Sequence, residues 1–216
     1  MAELIIFDCD GVLLDSEIHY CRAGVETLNA LGVNMALEEF MTRYIGIALP
    51  DIRERMRRDF GTPVAEAWTE RSPTLGRAYA AAGLQAVPGV GHVLTTLTRP
   101  KCVASSTSPE GLRRGLGQVG LYDSFAPHIF SATMVARGKP APDLFLYASE
   151  RMGTRPEDCL VIEDSVHGVT AAVAAGMTVL GFTGASHAYP GLADRLREAG
   201  AAEVFDDMTA LPGMLP

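Results

Sequence analysis

The chain reads as an α/β protein: a doubly wound parallel sheet with a block of helices inserted after its first strand. Three observations lead there. From residue 88 onward, short apolar runs alternate with segments of helical periodicity, the pattern of buried parallel strands and their crossover helices. The chain also opens on such a run, Leu4-Ile5-Ile6-Phe7, and residues 17 to 82 between the two carry no strand signal. At 216 residues it is long enough for one or two domains and a sizeable core.

The first strand ends abruptly in Asp8-Cys9-Asp10-Gly11. Alternation along a strand points Asp8 and Asp10 the same way, off its end, and Gly11 lets the backbone turn sharply. Two carboxylates that close repel each other unless a cation lies between them or one stays protonated. A cation would be Mg²⁺ on oxygen ligands. A retained proton would supply a general acid beside a nucleophile. A solvated polar turn is the plain alternative.

In the helical block, residues 17 to 31 stop at Gly32, 37 to 44 stop before Gly46, 49 to 60 stop at Gly61, and 64 to 82 stop at Gly83. Pro73 is expected to kink or split the last of these. Trp68 and Tyr79, eleven residues apart, suit core packing on one helix face. Arg43, Arg53, Arg55, Arg57 and Arg58 form a basic segment that reads as a solvated helix face in preference to one that steers an anionic substrate. Strands follow at 101 to 104, 128 to 130, 159 to 162, 178 to 182 and 203 to 205. Helices are expected at 91 to 97, 109 to 119, 142 to 152, 165 to 175 and 190 to 199. Because the opening strand belongs to the sheet, residues 1–16 and 84–216 form a core and 17–83 an insertion, joined by two linkers about which the domains can move.

Ligands of open α/β sheets bind at the carboxyl ends of the strands, so polar residues there carry the functional reading. Ser105-Ser106-Thr107-Ser108-Pro109 offers hydroxyls and free amides at a helix start, which suits a phosphate cradle or a simple N-cap. Gly138-Lys139-Pro140-Ala141-Pro142-Asp143 holds one lysine in a loop stiffened by two prolines, a directed point charge for phosphate. Cys159-Leu160-Val161-Ile162 runs straight into Glu163-Asp164-Ser165, which reads equally as a metal site or as helix capping.

Composition narrows the classes. A net charge of −8 disfavours nucleic acid and anionic membranes as main partners, and 48% hydrophobic residues fit a globular protein. No window has the length of a membrane span, and Glu3 and Asp8 interrupt any secretory h-region. The cysteines Cys9, Cys21, Cys102 and Cys159 lack metal-ligand spacing and read as reduced thiols of a cytoplasmic protein. The five histidines show no metal-ligand spacing either.

Together the segments FDCDGVL, VASS, GKPAPD and VIEDS, in that order at strand ends or adjoining loops, resemble the four motifs of the haloacid dehalogenase-like hydrolases. The resemblance spans essentially the whole chain. It implies a Rossmann-like core, with the helical insertion as the cap of the subgroup that contains β-phosphoglucomutases and phosphosugar phosphatases. DSE at 15 to 17 and PGV at 88 to 90 fit that subgroup, and the DCDG…LLDSEI…CRA run is similar to the 6-phosphogluconate phosphatase type.

By resemblance, Asp8 is the nucleophile and Asp10 the general acid and base. Mg²⁺ sits on the Asp8 carboxylate, the Asp10 carbonyl, Asp164 and waters, with Glu163 as an outer partner or water ligand. Ser105, Ser106 and Lys139 bind the phosphoryl group. The implied activity is a phosphatase of a small phosphorylated sugar or sugar acid, acting as a monomer. Two alternatives stand beside it. A mutase would carry an arginine three residues after Gly46, where Leu49 stands, and a histidine at position 20, where Tyr20 stands. A non-catalytic binding module would have lost the site residues. Dehalogenases of the family lack the second aspartate, so Asp10 with Asp164 points to phosphoryl chemistry.

Overall fold

The structure is a computed structural model that describes residues 2–45 and 49–215. Gly46, Ile47 and Ala48, which carry the comparison with mutases, lie outside the described residues, as does the side chain at position 49. Six strands form one parallel sheet: β1 (Leu4–Phe7), β2 (Lys101–Ser105), β3 (Ile129–Ser131), β4 (Cys159–Glu163), β5 (Thr178–Phe182) and β6 (Glu203–Phe205). Among the described residues ten α-helices accompany them: α1 (Glu17–Ala30), α2 (Leu37–Tyr44), α3 (Leu49–Phe60), α4 (Thr62–Gly83), α5 (Val90–Thr96), α6 (Pro109–Gln118), α7 (Asp143–Met152), α8 (Val166–Ala174), α9 (Leu192–Glu198) and α10 (Leu211–Met214).

The strand order is β3-β2-β1-β4-β5-β6. From β1 the chain builds outward to β2 and β3, then returns to the other side of β1 for β4, β5 and β6. The crevice at the carboxyl ends of β1 and β4 is therefore the topological switch point, where sheets of this kind bind ligands. Every residue of β1 and β4 is buried, which explains why both read as continuous apolar runs rather than alternating ones. Leu4, Ile5 and Ile6 are fully buried, and truncating any one to alanine should cost about 2–5 kcal/mol.

The chain divides into two compact units. The first comprises Met1–Asp15, Gln85–Ala185 and Gly191–Pro216 and contains the sheet; the second comprises Ser16–Leu84 and Ser186–Pro190. The pattern of strands and helices gives no reason to set residues 186–190 apart from the sheet unit, because they lie between β5 and α9 in the chain.

Within the second unit α4 packs along α1 and α3. Trp68 is buried and donates its Nε1–H to the Gly24 carbonyl at 3.1 Å, with Phe40 tilted beside it. A Cβ at position 24 would run into the Phe40 ring, so glycine allows this close approach. Two expectations need correction. Pro73 does not split the helix, because α4 runs unbroken from Thr62 to Gly83 while Trp68, Ser72 and Gly76 on its buried face supply packing that offsets the missing amide. Tyr79 does not join the core with Trp68; it lies at the surface and its hydroxyl donates to the Glu26 carboxylate.

Candidate active site

The end of β1 places Asp8, whose amide donates to the Ile162 carbonyl of β4 at 3.0 Å. The chain then turns at Gly11, where φ is 83° and any side chain would be strained, and the Gly11 amide closes on the Leu14 carbonyl at 2.7 Å. Between the two aspartates Cys9 faces into the core. Burial first, then Asp10 and Asp8, push its thiol well above the usual range, so it stays protonated and unreactive. All four cysteines are buried and free.

Lys139 reaches this strand end from the loop before α7. Its ammonium has three donors and three acceptors: Asp8 Oδ1 at 2.6 Å, Glu163 Oε1 at 2.6 Å and the Ala104 carbonyl at 3.0 Å. It also lies 4.8 Å from the centroid of the Phe145 ring, a cation–π contact. Burial alone would pull the lysine down, but Asp8 and Glu163 outweigh it and raise the group above its ordinary value.

Glu163 is nearly fully buried at the end of β4. Its Oε1 takes Lys139, and its Oε2 accepts from the Ser165 amide and hydroxyl, both at 2.9 Å. Ser165 in turn caps α8 by accepting from the Gly168 amide at 3.0 Å. A Cβ on Gly168 would occupy the space of the Glu163 carboxylate, so a glycine in the first turn of α8 is what lets this acid lie against the helix start.

Asp8 and Glu163 share the Lys139 ammonium, and the charges of Asp10 and Asp164 act on Asp8 as well. Burial pushes Asp8 well above the carboxylate range; Glu163, Asp164 and Asp10 push the same way and Lys139 opposes them. A strong ion pair alone would lower Asp8. The net rise expresses first the loss of water around Asp8 and then its three carboxylate neighbours, which together outweigh Lys139. Among the described residues no three His, Cys, Asp or Glu side chains converge as metal ligands. Both oxygens of Glu163 are turned to Lys139 and Ser165, so the carboxylates of Asp8 and Asp164 are the candidate side-chain donors. Such a pair with a backbone carbonyl and waters suits a hard divalent cation.

The β2 end brings the hydroxyl run alongside. Ser105 is buried and accepts the Thr107 amide at 3.1 Å, Ser106 is exposed, and Ser108 caps α6 by accepting from the Gly111 amide at 3.3 Å. Thr107 donates its hydroxyl to Asp10 Oδ2 at 2.7 Å. Sequence reading did not single out Thr107, and no local signal marks it, since its partner lies 97 residues away. Lys139 thus bridges Asp8 and Glu163, and Asp164 follows Glu163 in the chain. Asp10 is tied to the β2 loop that carries Ser105 and Ser106.

A buried carboxylate, a directed ammonium and a second carboxyl two residues on are the parts of a nucleophilic displacement with an acid and base partner. Comparison with known proteins agrees. Residues 2–176 match the family of haloacid dehalogenase-like hydrolases. The chain is 31% identical over 192 residues to the 6-phosphogluconate phosphatase of Escherichia coli K12, covering 87% of this chain and 86% of that protein. A haloacid dehalogenase-like protein of unknown function from Agrobacterium tumefaciens C58 superposes with a TM-score of 0.94 at 40% identity, over 99% of this chain and 97% of that one. A family hydrolase from Deinococcus radiodurans R1, crystallised with phosphate and sodium, superposes with a TM-score of 0.85 at 29% identity, over 99% and 94%. The chain belongs to the haloacid dehalogenase-like hydrolases, as a phosphatase enzyme of their β-phosphoglucomutase and phosphosugar phosphatase-like subgroup.

Proposed function

We propose that the protein is a Mg²⁺-dependent phosphatase that hydrolyses a small phosphorylated sugar or sugar acid through an aspartyl-phosphate. The observation that carries this reading is Asp8 itself: a carboxylate buried at the switch point, held at Oδ1 by Lys139, with Asp10 two residues on. A carboxylate in that setting is oriented and stripped of water, the condition under which it attacks phosphorus. The sugar-acid class is supported by the similarity to a 6-phosphogluconate phosphatase.

In the first half-reaction a carboxylate oxygen of Asp8 forms a bond to phosphorus as the bond to the leaving oxygen breaks. The electron pair of that bond stays on the leaving oxygen, which takes the proton of Asp10. In the second, a water oxygen attacks the same phosphorus and gives a proton to Asp10, and the pair of the breaking bond returns to Asp8. The sum is phosphate ester plus water to alcohol plus phosphate. Lys139, the Ser105 hydroxyl and the Ser106 amide would bind the transferring oxygens, and positioning of this kind dominates phosphoryl transfer.

Asp8, Asp164 and the Asp10 carbonyl would hold Mg²⁺, with Glu163 acting through Lys139 and Ser165 rather than on the metal. When bound, the ion supplies positive charge that offsets the excess of carboxylates and shields Asp8 from a phosphate dianion. The helical unit would serve as the cap, and the enzyme would work as a cytoplasmic monomer. Among the described residues no helix is long and apolar enough to cross a membrane.

A phosphate-release screen over sugar phosphates, sugar acid phosphates, nucleotides and phosphoglycolate tests the substrate class. Acid quenching of a single turnover with a ³²P-labelled substrate tests the intermediate. Label on the parent protein, sensitive to hydroxylamine, is expected. Release of phosphate with no acid-stable label at any time point would remove the covalent mechanism.

A further inference from the structure

We infer that Thr107 is the positioning residue for Asp10, fixing the carboxyl that passes a proton to the leaving oxygen. This inference rests on the aspartyl-phosphate reading above. Asp10 bridges to Leu14 just beyond the strand, and proton transfer needs its carboxyl within hydrogen-bond reach of one oxygen. The Thr107 hydroxyl donates to Asp10 Oδ2 at 2.7 Å and sets the plane of that carboxyl.

Thr107 is itself held on three sides. Its amide donates to Ser105 Oγ at 3.1 Å, and its carbonyl accepts from Ser131 Oγ at 2.8 Å. Ser131 is fully buried at the end of β3, where its hydroxyl also meets Thr133 Oγ1 at 3.0 Å and accepts the Thr133 amide at 3.2 Å. The third restraint is steric. The Thr107 methyl lies so close to Gly111 that a Cβ there would come within 2.6 Å of it. Methyl against Gly111 turns the hydroxyl toward Asp10.

The choice of a hydroxyl follows from the task. A lysine or arginine would orient the carboxyl equally well, but its charge would favour the ionised form and hinder proton donation. A neutral donor orients without that bias.

Leaving groups separate this role from a general structural one. An alkoxide needs a proton as it departs, whereas p-nitrophenolate departs without one. Parent, Thr107→Val and Thr107→Ser are compared at saturating Mg²⁺ on p-nitrophenyl phosphate and on the best alkyl phosphate of the screen. Thr107→Val should lower kcat/KM, which reads the steps up to departure of the leaving group, at least about tenfold more on the alkyl ester than on the aryl ester. Thr107→Ser, which keeps the donor, should restore both to within about threefold. Gly111→Ala, which raises helix propensity and so folds, should displace the methyl and show the same bias more weakly. If Thr107→Val yields no folded protein, Gly111→Ala decides alone. Equal losses of kcat/KM on the two esters overturn the inference. Absence of alkyl phosphatase activity in the parent is a different failure, that of the functional reading, and shows before any variant is made.

Discussion

Two groups of ion pairs in this molecule are alike in chemistry and opposite in setting. At the strand ends Lys139 meets Asp8 and Glu163 at 2.6 Å with side chains 5%, 10% and 1% exposed. On α3 in the helical unit Arg57 meets Glu54 at 2.7 Å with side chains 40% and 69% exposed. The distances hardly differ; the surroundings do. Removing one member of the buried group strands charges that have no water to turn to, at a cost of about 3–5 kcal/mol. The surface pair is screened and entropically loose, worth about 0–1 kcal/mol. Length of a salt bridge therefore says little about its weight, and burial says most.

Variants can break that contrast, and the largest effect belongs to Asp8. Asp8→Asn keeps the size and loses the nucleophile, so kcat should fall by about a thousandfold or more while the far-UV spectrum is retained. Comparable turnover by this variant would end the aspartyl-phosphate reading. Lys139→Met comes next, with activity lost and unfolding free energy down by about 3–5 kcal/mol in denaturant titrations. A midpoint equal to the parent's would mean that the ammonium does not hold the carboxylates together.

Metal tests the same excess of charge from outside. Chelation should abolish turnover, and Mg²⁺ at about a hundred times its dissociation constant should add about 2.7 kcal/mol. For a chain of this size that is a rise in Tm of about 5–10 °C. The rise should vanish in Asp164→Asn, and an undiminished rise there would place the ion elsewhere. Ca²⁺, larger and looser in its oxygen shell, should bind without supporting turnover.

Gly168→Ala puts a methyl where the Glu163 carboxylate lies, an overpacking that should cost about 1–3 kcal/mol and lower kcat. Full stability would show that Glu163 has another place to go. At the small end, Arg57→Ala should shift stability by no more than about 0.5 kcal/mol and leave the Mg²⁺ response unaltered. A larger shift would make the helical unit's surface charges more than a solvated face.

The strand-end acids were legible because each closes an apolar run: Phe7 before Asp8 and Ile162 before Glu163. Such runs read as buried strands, and a carboxylate at the mouth of one has few bland uses. Lys139 was legible for a related reason, a single lysine between a glycine and two prolines in a stiff loop. The helical unit was legible as helices, since a period of 3.6 needs no partner to be recognised, but Pro73 and Tyr79 were misread. Whether a proline is tolerated depends on packing along α1 and α3, and whether an aromatic is covered depends on what lies over its face.

What the amino-acid sequence determines by itself is local and periodic: which segments are strands, where each stops, and which residue types stand at the stops. Parallel order, the switch point between β1 and β4, and the company each acid keeps arise only when segments far apart in the chain close together. Lys139 lies 131 residues from Asp8 and Thr107 lies 97 from Asp10, separations at which no spacing rule applies. The same holds for the division of labour among the acids. Glu163 and Asp164 are neighbours in sequence, and only the fold turns the first toward Lys139 and the start of α8, because hydrogen-bond partners and free space, unlike periodicity, are properties of the packed molecule.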